Sequence, residues 1–168
     1  ARVSASTGMS DHPVLVPDRP WEKSCAMPFS GGIWKVGASY RCWYLADFRR
    51  ICLAFSDDGL TWAKPDLGVV AGTNIVLEPV IVDTVCVWPY GDQWVMSLST
   101  PSGGPLRLLT SDDGIRWSSF YTIPEAGDRT TLFFNHLTDQ WTFCVRAGMG
   151  IASNPRRNRN THTSDPPR

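Results

Sequence analysis

Ser56-Asp57-Asp58-Gly59-Leu60-Thr61-Trp62 recurs as Ser111-Asp112-Asp113-Gly114-Ile115-Arg116-Trp117, with five of seven residues identical and an interval of 55 residues. The residue types have a local physical reason. Ser and Asp side chains bond nearby backbone N–H groups, Gly supplies a positive φ, and the Trp packs back over the hairpin. Each copy closes a run of short apolar segments cut by turns. The first run is Ile33-Trp34, Tyr40 to Leu45 and Ile51 to Phe55, with turns at 37–39 and 47–50. The second is Val85 to Trp88, Trp94 to Leu98 and Leu106 to Leu109, with turns at 90–92 and 101–105. A third run starts with Thr131 to Phe134, turns at 136–139 and continues through Trp141 to Arg146.

Antiparallel meanders repeating at about 50 residues predict an all-β chain of β-propeller blades. Eight Trp, 13 Pro and 14 Gly fit many short strands, and no stretch keeps apolar residues at i, i+3, i+4, i+7. The chain therefore reads as about three antiparallel four-stranded blades over residues 21–146, with an irregular arm at 1–20 and a polar, Arg- and Pro-containing tail at 147–168 expected to be disordered. Val14-Leu15-Val16 in the arm could add one strand. Closed propellers usually have four to eight blades. A three-blade arc would leave two inter-blade faces open. The chain is then a piece of a longer propeller, an arc that closes by self-association, or a compact sandwich; the Ala start and uncapped end favour the first. The repeated turn resembles the Asp-box of sialidases, shortened by one residue between Asp and Gly. Its aspartates, Asp57, Asp58, Asp112 and Asp113, read as turn-stabilising rather than catalytic.

Composition bounds the function. Sixteen Lys and Arg balance 16 Asp and Glu among 168 residues, so no broad field steers nucleic acid or anionic lipid. Apolar runs are far shorter than the roughly 18 residues that span a membrane. Ala1-Arg2-Val3-Ser4 leads into no apolar h-region, so no signal peptide is visible, and the compartment, cytoplasmic or secreted, stays open. The five cysteines show no C-x-x-C and no Cys/His cluster. They read as buried, reduced thiols, with no metal and no cofactor expected. Cys42 and Cys52 flank a hairpin and could face each other. His12, His136 and His162 fall in turns or tails and receive no catalytic role.

Three further stretches carry a resemblance: Pro17-Asp18-Arg19-Pro20-Trp21-Glu22 followed by Pro28-Phe29-Ser30-Gly31-Gly32-Ile33-Trp34; Cys52 through Gly68; and Gly127-Asp128-Arg129-Thr130-Thr131-Leu132-Phe133-Phe134-Asn135. Over about residues 13–160 the chain resembles the N-terminal half of bacterial five-bladed-propeller proteins. Those proteins are similar to glycoside hydrolase families 32, 43 and 68. The resemblance implies a carbohydrate-active propeller. In those hydrolases acidic residues sit on the inner strands of successive blades, and glycosidic cleavage needs two carboxylates flanking the scissile oxygen.

Transferred residue by residue, the implied catalytic candidates are Asp83 and Asp128, with Glu22 as a third supplied from a loop. Phe29-Ser30-Gly31-Gly32, where the first blade's acid is expected, has no carboxylate. Arg129 and Arg146 would orient the substrate, and Trp21, Trp34 and Trp88 would stack on sugar rings. Simpler roles stand beside these: a turn Asp bonded to backbone for Asp83, an internal ion pair for Asp128 and Arg129, and a solvent-facing Arg146. The expected partner is an oligo- or polysaccharide, with self-association through open blade faces as a further possibility. A non-catalytic binding propeller is the rival reading, supported by the missing first acid.

Overall fold

The computed structural model describes residues 11–101, 104–124, 126, 129–145 and 160–163. The described residues are all strand, turn and loop. The order is β1 (Ala26–Val36), β2 (Ser39–Ala46), β3 (Arg50–Ser56), β4 (Ile75–Leu77), β5 (Thr84–Tyr90), β6 (Gln93–Ser99), β7 (Leu106–Ser111), β8 (Ser118–Ile123), β9 (Thr131–Asn135), β10 (Gln140–Val145) and β11 (Asn160–Thr163). They form two four-stranded sheets, β1-β2-β3-β4 and β5-β6-β7-β8, and a three-stranded sheet, β11-β10-β9, all antiparallel. These are successive propeller blades. β5 packs beside β1 on one side and β9 on the other, so the first strand of each sheet lies at the hub.

Short turns set this connectivity. Gly37 (φ 62°) and Gly91 (φ 58°) sit in tight hairpins that return the chain beside itself, pairing Val36 with Ser39 and Tyr90 with Gln93. The fourth strands, β4 and β8, were not legible in the sequence. β4 is only three residues long, and β8 reads Ser-Ser-Phe-Tyr-Thr-Ile with an exposed or half-buried pattern throughout. An outer strand covers little apolar surface and so leaves a weak pattern. β11 lies within the segment read as a tail; residues 146–159 and 164–168 lie outside the described residues.

Strand alternation gives each sheet two apolar faces. The face of the first blade toward the second offers Trp43, Leu45, Ile51 and Leu53. These bury against Val85, Val87, Trp94, Met96, Leu98 and Leu109. The second blade's other face meets the third through Val95, Leu106 and Leu108 against Leu132, Trp141 and Phe143. The first blade's remaining face carries Cys42, Tyr44, Ala46, Cys52, Ala54 and Ile75. It is not open as expected of a bare arc: Leu15 and Trp21 of the arm, with Ala26, Trp62 and Val70, pack over it. Val14-Leu15-Val16 accordingly adds no strand. It crosses a sheet face, and the Val16 carbonyl accepts from the Lys64 ammonium instead of a ladder N–H.

The cysteines are all free thiols; Cys42, Cys52 and Cys86 are buried, but Cys25 is half-buried and Cys144 exposed. Cys42 and Cys52 share the covered face without pairing across the ladder, since Cys42 opposes Ala54 and Cys52 opposes Tyr44. Burial pushes both thiols up to about 12.

The two repeated turns are the same object built twice. In each, the Ser hydroxyl accepts the Gly N–H at 2.8 Å, and one oxygen of the second Asp accepts the Ser hydroxyl and the two N–H groups after the Gly. Gly59 and Gly114 have φ of 77° and 78°. The N–H groups of Thr61 and Leu60, with the Ser56 hydroxyl, hold the Asp58 carboxyl at about 2. Partial burial pushes Asp113 up, but the N–H groups of Arg116 and Ile115 and the Ser111 hydroxyl outweigh it and hold that carboxyl at about 2 as well. Only the second turn meets a preceding blade: Trp43 Nε1 donates to the Gly114 carbonyl at 2.8 Å, and Arg41 donates to the Asp113 carbonyl at 2.8 Å.

Two predictions follow from this pair of turns. A Cβ on Gly114 would lie 2.7 Å from Trp43 Cζ2, whereas one on Gly59 meets nothing closer than Tyr40 Cε2 at 4.0 Å. Gly59→Ala should therefore cost the left-handed backbone penalty alone, about 1–2 kcal/mol. Gly114→Ala should add overpacking of about 1–3 kcal/mol. Thermal melts should place Gly114→Ala several degrees below Gly59→Ala, because about 1 kcal/mol moves Tm by roughly 2–4 °C at this size. The second concerns acid. Carboxyls held at about 2 in the fold titrate near 4 when unfolded, so their contribution is complete above about pH 4 and is lost as pH falls toward 2. The Asp58→Asn, Asp113→Asn double variant should show a shallower fall of Tm between pH 4 and 2 than the parent chain.

Candidate functional site at the hub

The hairpin registers align the inner strands. Trp34 stands two residues before the last pair of β1, Trp88 two before that of β5, and Phe133 two before that of β9. Equivalent positions on adjacent inner strands bring these rings side by side. The Trp34 and Trp88 centroids are 4.8 Å apart and edge-on, and Trp88 and Phe133 are 6.5 Å apart. All three rings are half-buried. Trp34 Nε1 donates to the Val87 carbonyl at 2.8 Å and the Gly31 carbonyl at 2.7 Å, which ties β1 to β5. Residue type does not mark Phe133 in the sequence; only alignment of the hairpin ends makes it the third member.

β1 reaches this position through a bulge. Its register jumps between Pro28 and Ile33, so Phe29 to Gly32 stand opposite Trp43 alone. Gly31 has φ 71°, and a Cβ there would lie 3.1 Å from Trp88 Nε1 and 3.2 Å from the Val87 carbonyl oxygen. A Cβ on Gly32 would lie 2.6 Å from the Trp43 carbonyl oxygen. Gly31 lets the bulge sit against the next inner strand and Gly32 lets it close on β2 of its own sheet, at the place where the sequence offers no acid.

Asp83 lies at the start of β5. Its N–H donates to the Ser99 carbonyl at 2.8 Å, which fixes it to the end of β6. Its Oδ2 accepts the Arg129 N–H at 2.8 Å and the Thr84 hydroxyl at 3.3 Å. Asp83 is half-buried, while Arg129 has φ 55° and an exposed side chain just before β9. The structure thus joins Asp83 and Arg129 where the second and third inner strands begin. Asp128 and Arg146 lie outside the described residues.

Glu22 and Trp21 lie elsewhere. Glu22 is fully buried on the covered face of the first blade. Its oxygens accept from the Asp18 and Arg19 N–H groups at 2.8 and 2.9 Å, the Tyr44 hydroxyl at 2.5 Å and the Lys64 ammonium at 2.7 Å. Trp21 Nε1 donates to Asn74 Oδ1 at 3.0 Å and its ring packs on the same face. Glu22 and Asp83 share no hydrogen-bond partner: Glu22 is held by Asp18, Arg19, Tyr44 and Lys64, and Asp83 by Thr84, Ser99 and Arg129. The arm, not the hub, sets Glu22's surroundings, and no sequence spacing announces Tyr44, Lys64 and Asn74 as its neighbours. Among the described residues no group of three His, Cys, Asp or Glu side chains is placed to hold a metal ion.

No known family profile matches the chain, and no curated protein matches it. Solved structures do. A family 32 β-fructofuranosidase from Bombyx mori superposes over 82% of this chain and 33% of its own, with a TM-score of 0.55 and 22% identity. A point mutant of that enzyme in complex with sucrose matches to the same extent. A bifunctional family 43 protein from Bacteroides eggerthii superposes over 94% of this chain and 21% of its own, with a TM-score of 0.58 and 11% identity. The chain carries the propeller fold of these glycoside hydrolases. At such identities the likeness is one of fold, and the chain spans a third or less of the length of the proteins it matches.

The glycine pair supplies a test of the hub. Gly31→Ala should shift the Trp88 ring and strain the bulge. It should cost about 2–5 kcal/mol, the sum of a left-handed Ala and a tight contact, and change near-ultraviolet circular dichroism from the Trp34–Trp88 pair. An unchanged spectrum together with an unchanged Tm would mean that β1 and β5 do not approach as described.

Proposed function

We propose that this chain is part of a carbohydrate-active propeller that binds a glycan at its hub and hydrolyses a glycosidic bond with paired carboxylates. The observation that carries this reading is the row Trp34, Trp88 and Phe133 on successive inner strands, with Asp83 and Arg129 where those strands begin. Aromatic faces and C–H-rich sugar faces attract, and half-buried rings keep surface available for stacking. The fold is shared with two kinds of glycoside hydrolase, one of them solved with sucrose. Asp83 and Asp128 are assigned as the acid and base or nucleophile, and Arg129 and Arg146 as the groups that hold sugar hydroxyls. Glu22 and Trp21 are left out of the site, because their polar atoms are taken up by the arm.

Hydrolysis of this kind needs one carboxyl to protonate the leaving oxygen and another to attack the anomeric carbon or activate water. A second reading, a glycan-binding propeller without turnover, is favoured by one observation: the bulge Phe29 to Gly32 reaches the hub without a carboxylate. Hydrolysis of chromogenic glycosides by the full-length polypeptide carrying this chain, set beside sugar binding followed by tryptophan fluorescence, separates the two. Asp83→Asn and Asp128→Asn should each lower turnover by about 10²–10⁴-fold and leave binding within a few-fold. Trp88→Ala should weaken binding by roughly three- to tenfold. Undiminished turnover in both Asn variants ends the enzymatic assignment, and undiminished binding in Trp88→Ala ends the hub as the sugar site.

A further inference from the structure

On the face of the first blade turned away from the second no strand of another described sheet packs, and Cys42, Tyr44, Ala46, Cys52 and Ala54 are at most 1% exposed there. The arm achieves this. Leu15 and Trp21 cover the apolar part, and a polar knot fixes their position. Lys64, whose side chain is 3% exposed, donates to the Val16 carbonyl, to Asp18 at 2.7 Å and to Glu22 at 2.7 Å. Tyr44 donates to Glu22, and Asn74 donates to the Tyr44 oxygen at 2.7 Å while accepting from Trp21.

The face is also unlike its counterparts. At the positions where the second blade presents Trp94, Met96 and Leu98 to its neighbour, the first presents Tyr40, Cys42 and Tyr44. An apolar surface in the arm's place would leave the Tyr44 proton without an acceptor, at a cost of about 1–3 kcal/mol, while Asn74 would keep the Tyr44 oxygen and the Leu53 carbonyl. Lys64 would be worse off, because an unpaired buried charge costs several kcal/mol. The arm answers both: Glu22 accepts from Tyr44 and Lys64, and Asp18 accepts from Lys64 as well. Sliding the arm by one residue would separate Glu22 from Lys64, so the pair sets register as well as contact.

We propose that residues 14–25 form a strap that closes this face of the first blade, locked by Glu22 and Lys64. This face of the first blade then closes on the chain's own arm and not on a second copy of the chain. Releasing the lock should expose Tyr44 and Ile75 and let the face self-associate.

The test uses the full chain. In Lys64→Met, the amides of Asp18, Arg19 and Cys25 should exchange at least about tenfold faster, while those of β5 to β7 keep their protection. Trypsin should cut after Lys23 about as much faster, and sedimentation should show association rising with concentration. Should Lys64→Met lose its cooperative melt, Trp21→Ala, which trims only the arm's contact, is read in the same way. Unchanged arm protection overturns the lock. Protection lost equally from β1 to β8 makes Lys64 an ordinary core residue and overturns the strap. An opened arm on a chain that stays monomeric at all concentrations shows that the strap guards nothing.

Discussion

Trp43 is the joint on which the arc depends. Its indole is fully buried between the first two blades, 4.6 Å from the Trp94 ring and 6.4 Å from the Trp117 ring, and its one polar atom reaches the Gly114 carbonyl. Burying an indole removes about 200 Å² of surface from water, a gross gain of roughly 5 kcal/mol. That gain is available only if the donor is satisfied and a ring-sized space is kept clear. The repeated turn meets both conditions: Gly114 has no side chain to intrude, and its carbonyl faces the indole. The motif found by its recurrence thus holds its own loop and also serves as the socket for the preceding blade.

The inner strands are consequences of that joint. Once the sheets pack face to face at this spacing, β1 and β5 run side by side, and their aromatic residues are brought into register without any direct sequence relation between them. Gly31 permits the approach, and Trp34 seals it by donating across to Val87. The same geometry sets Asp83 beside the Arg129 backbone. That carboxylate accepts an N–H and stays half-exposed, so it is held in place and still reachable from solvent.

The buried charges lie away from this hub. Glu22, Lys64 and Tyr44 form a dense polar cluster against the first blade, with burial foremost, and the Cys52 thiol and the Glu22 carboxylate beside it, pushing the Tyr44 hydroxyl far up. Perturbed groups in such a cluster invite a functional reading. Here the contacts of Glu22 run within the arm, to the Asp18 and Arg19 N–H groups, and from the arm to Tyr44 and Lys64, so the cluster ties the arm to the first blade.

From the sequence alone came the all-β class, the meander order and the two equivalent turns, because alternation, Gly-containing hairpins and a seven-residue repeat are local and the backbone obeys them locally. Asp83 was a candidate in the sequence, but its place just ahead of β5 and its bond to the Arg129 N–H were not legible there. Short outer strands such as β4 and the exposed β8 left no pattern, since covering little apolar surface demands little of their residues. The partners of Glu22 at positions 44 and 64, the membership of Phe133 in the aromatic row, and the covering of the first blade by the arm were decided by tertiary structure. Each depends on which sheet faces meet, and that is fixed by packing between segments tens of residues apart, where spacing along the chain carries no information.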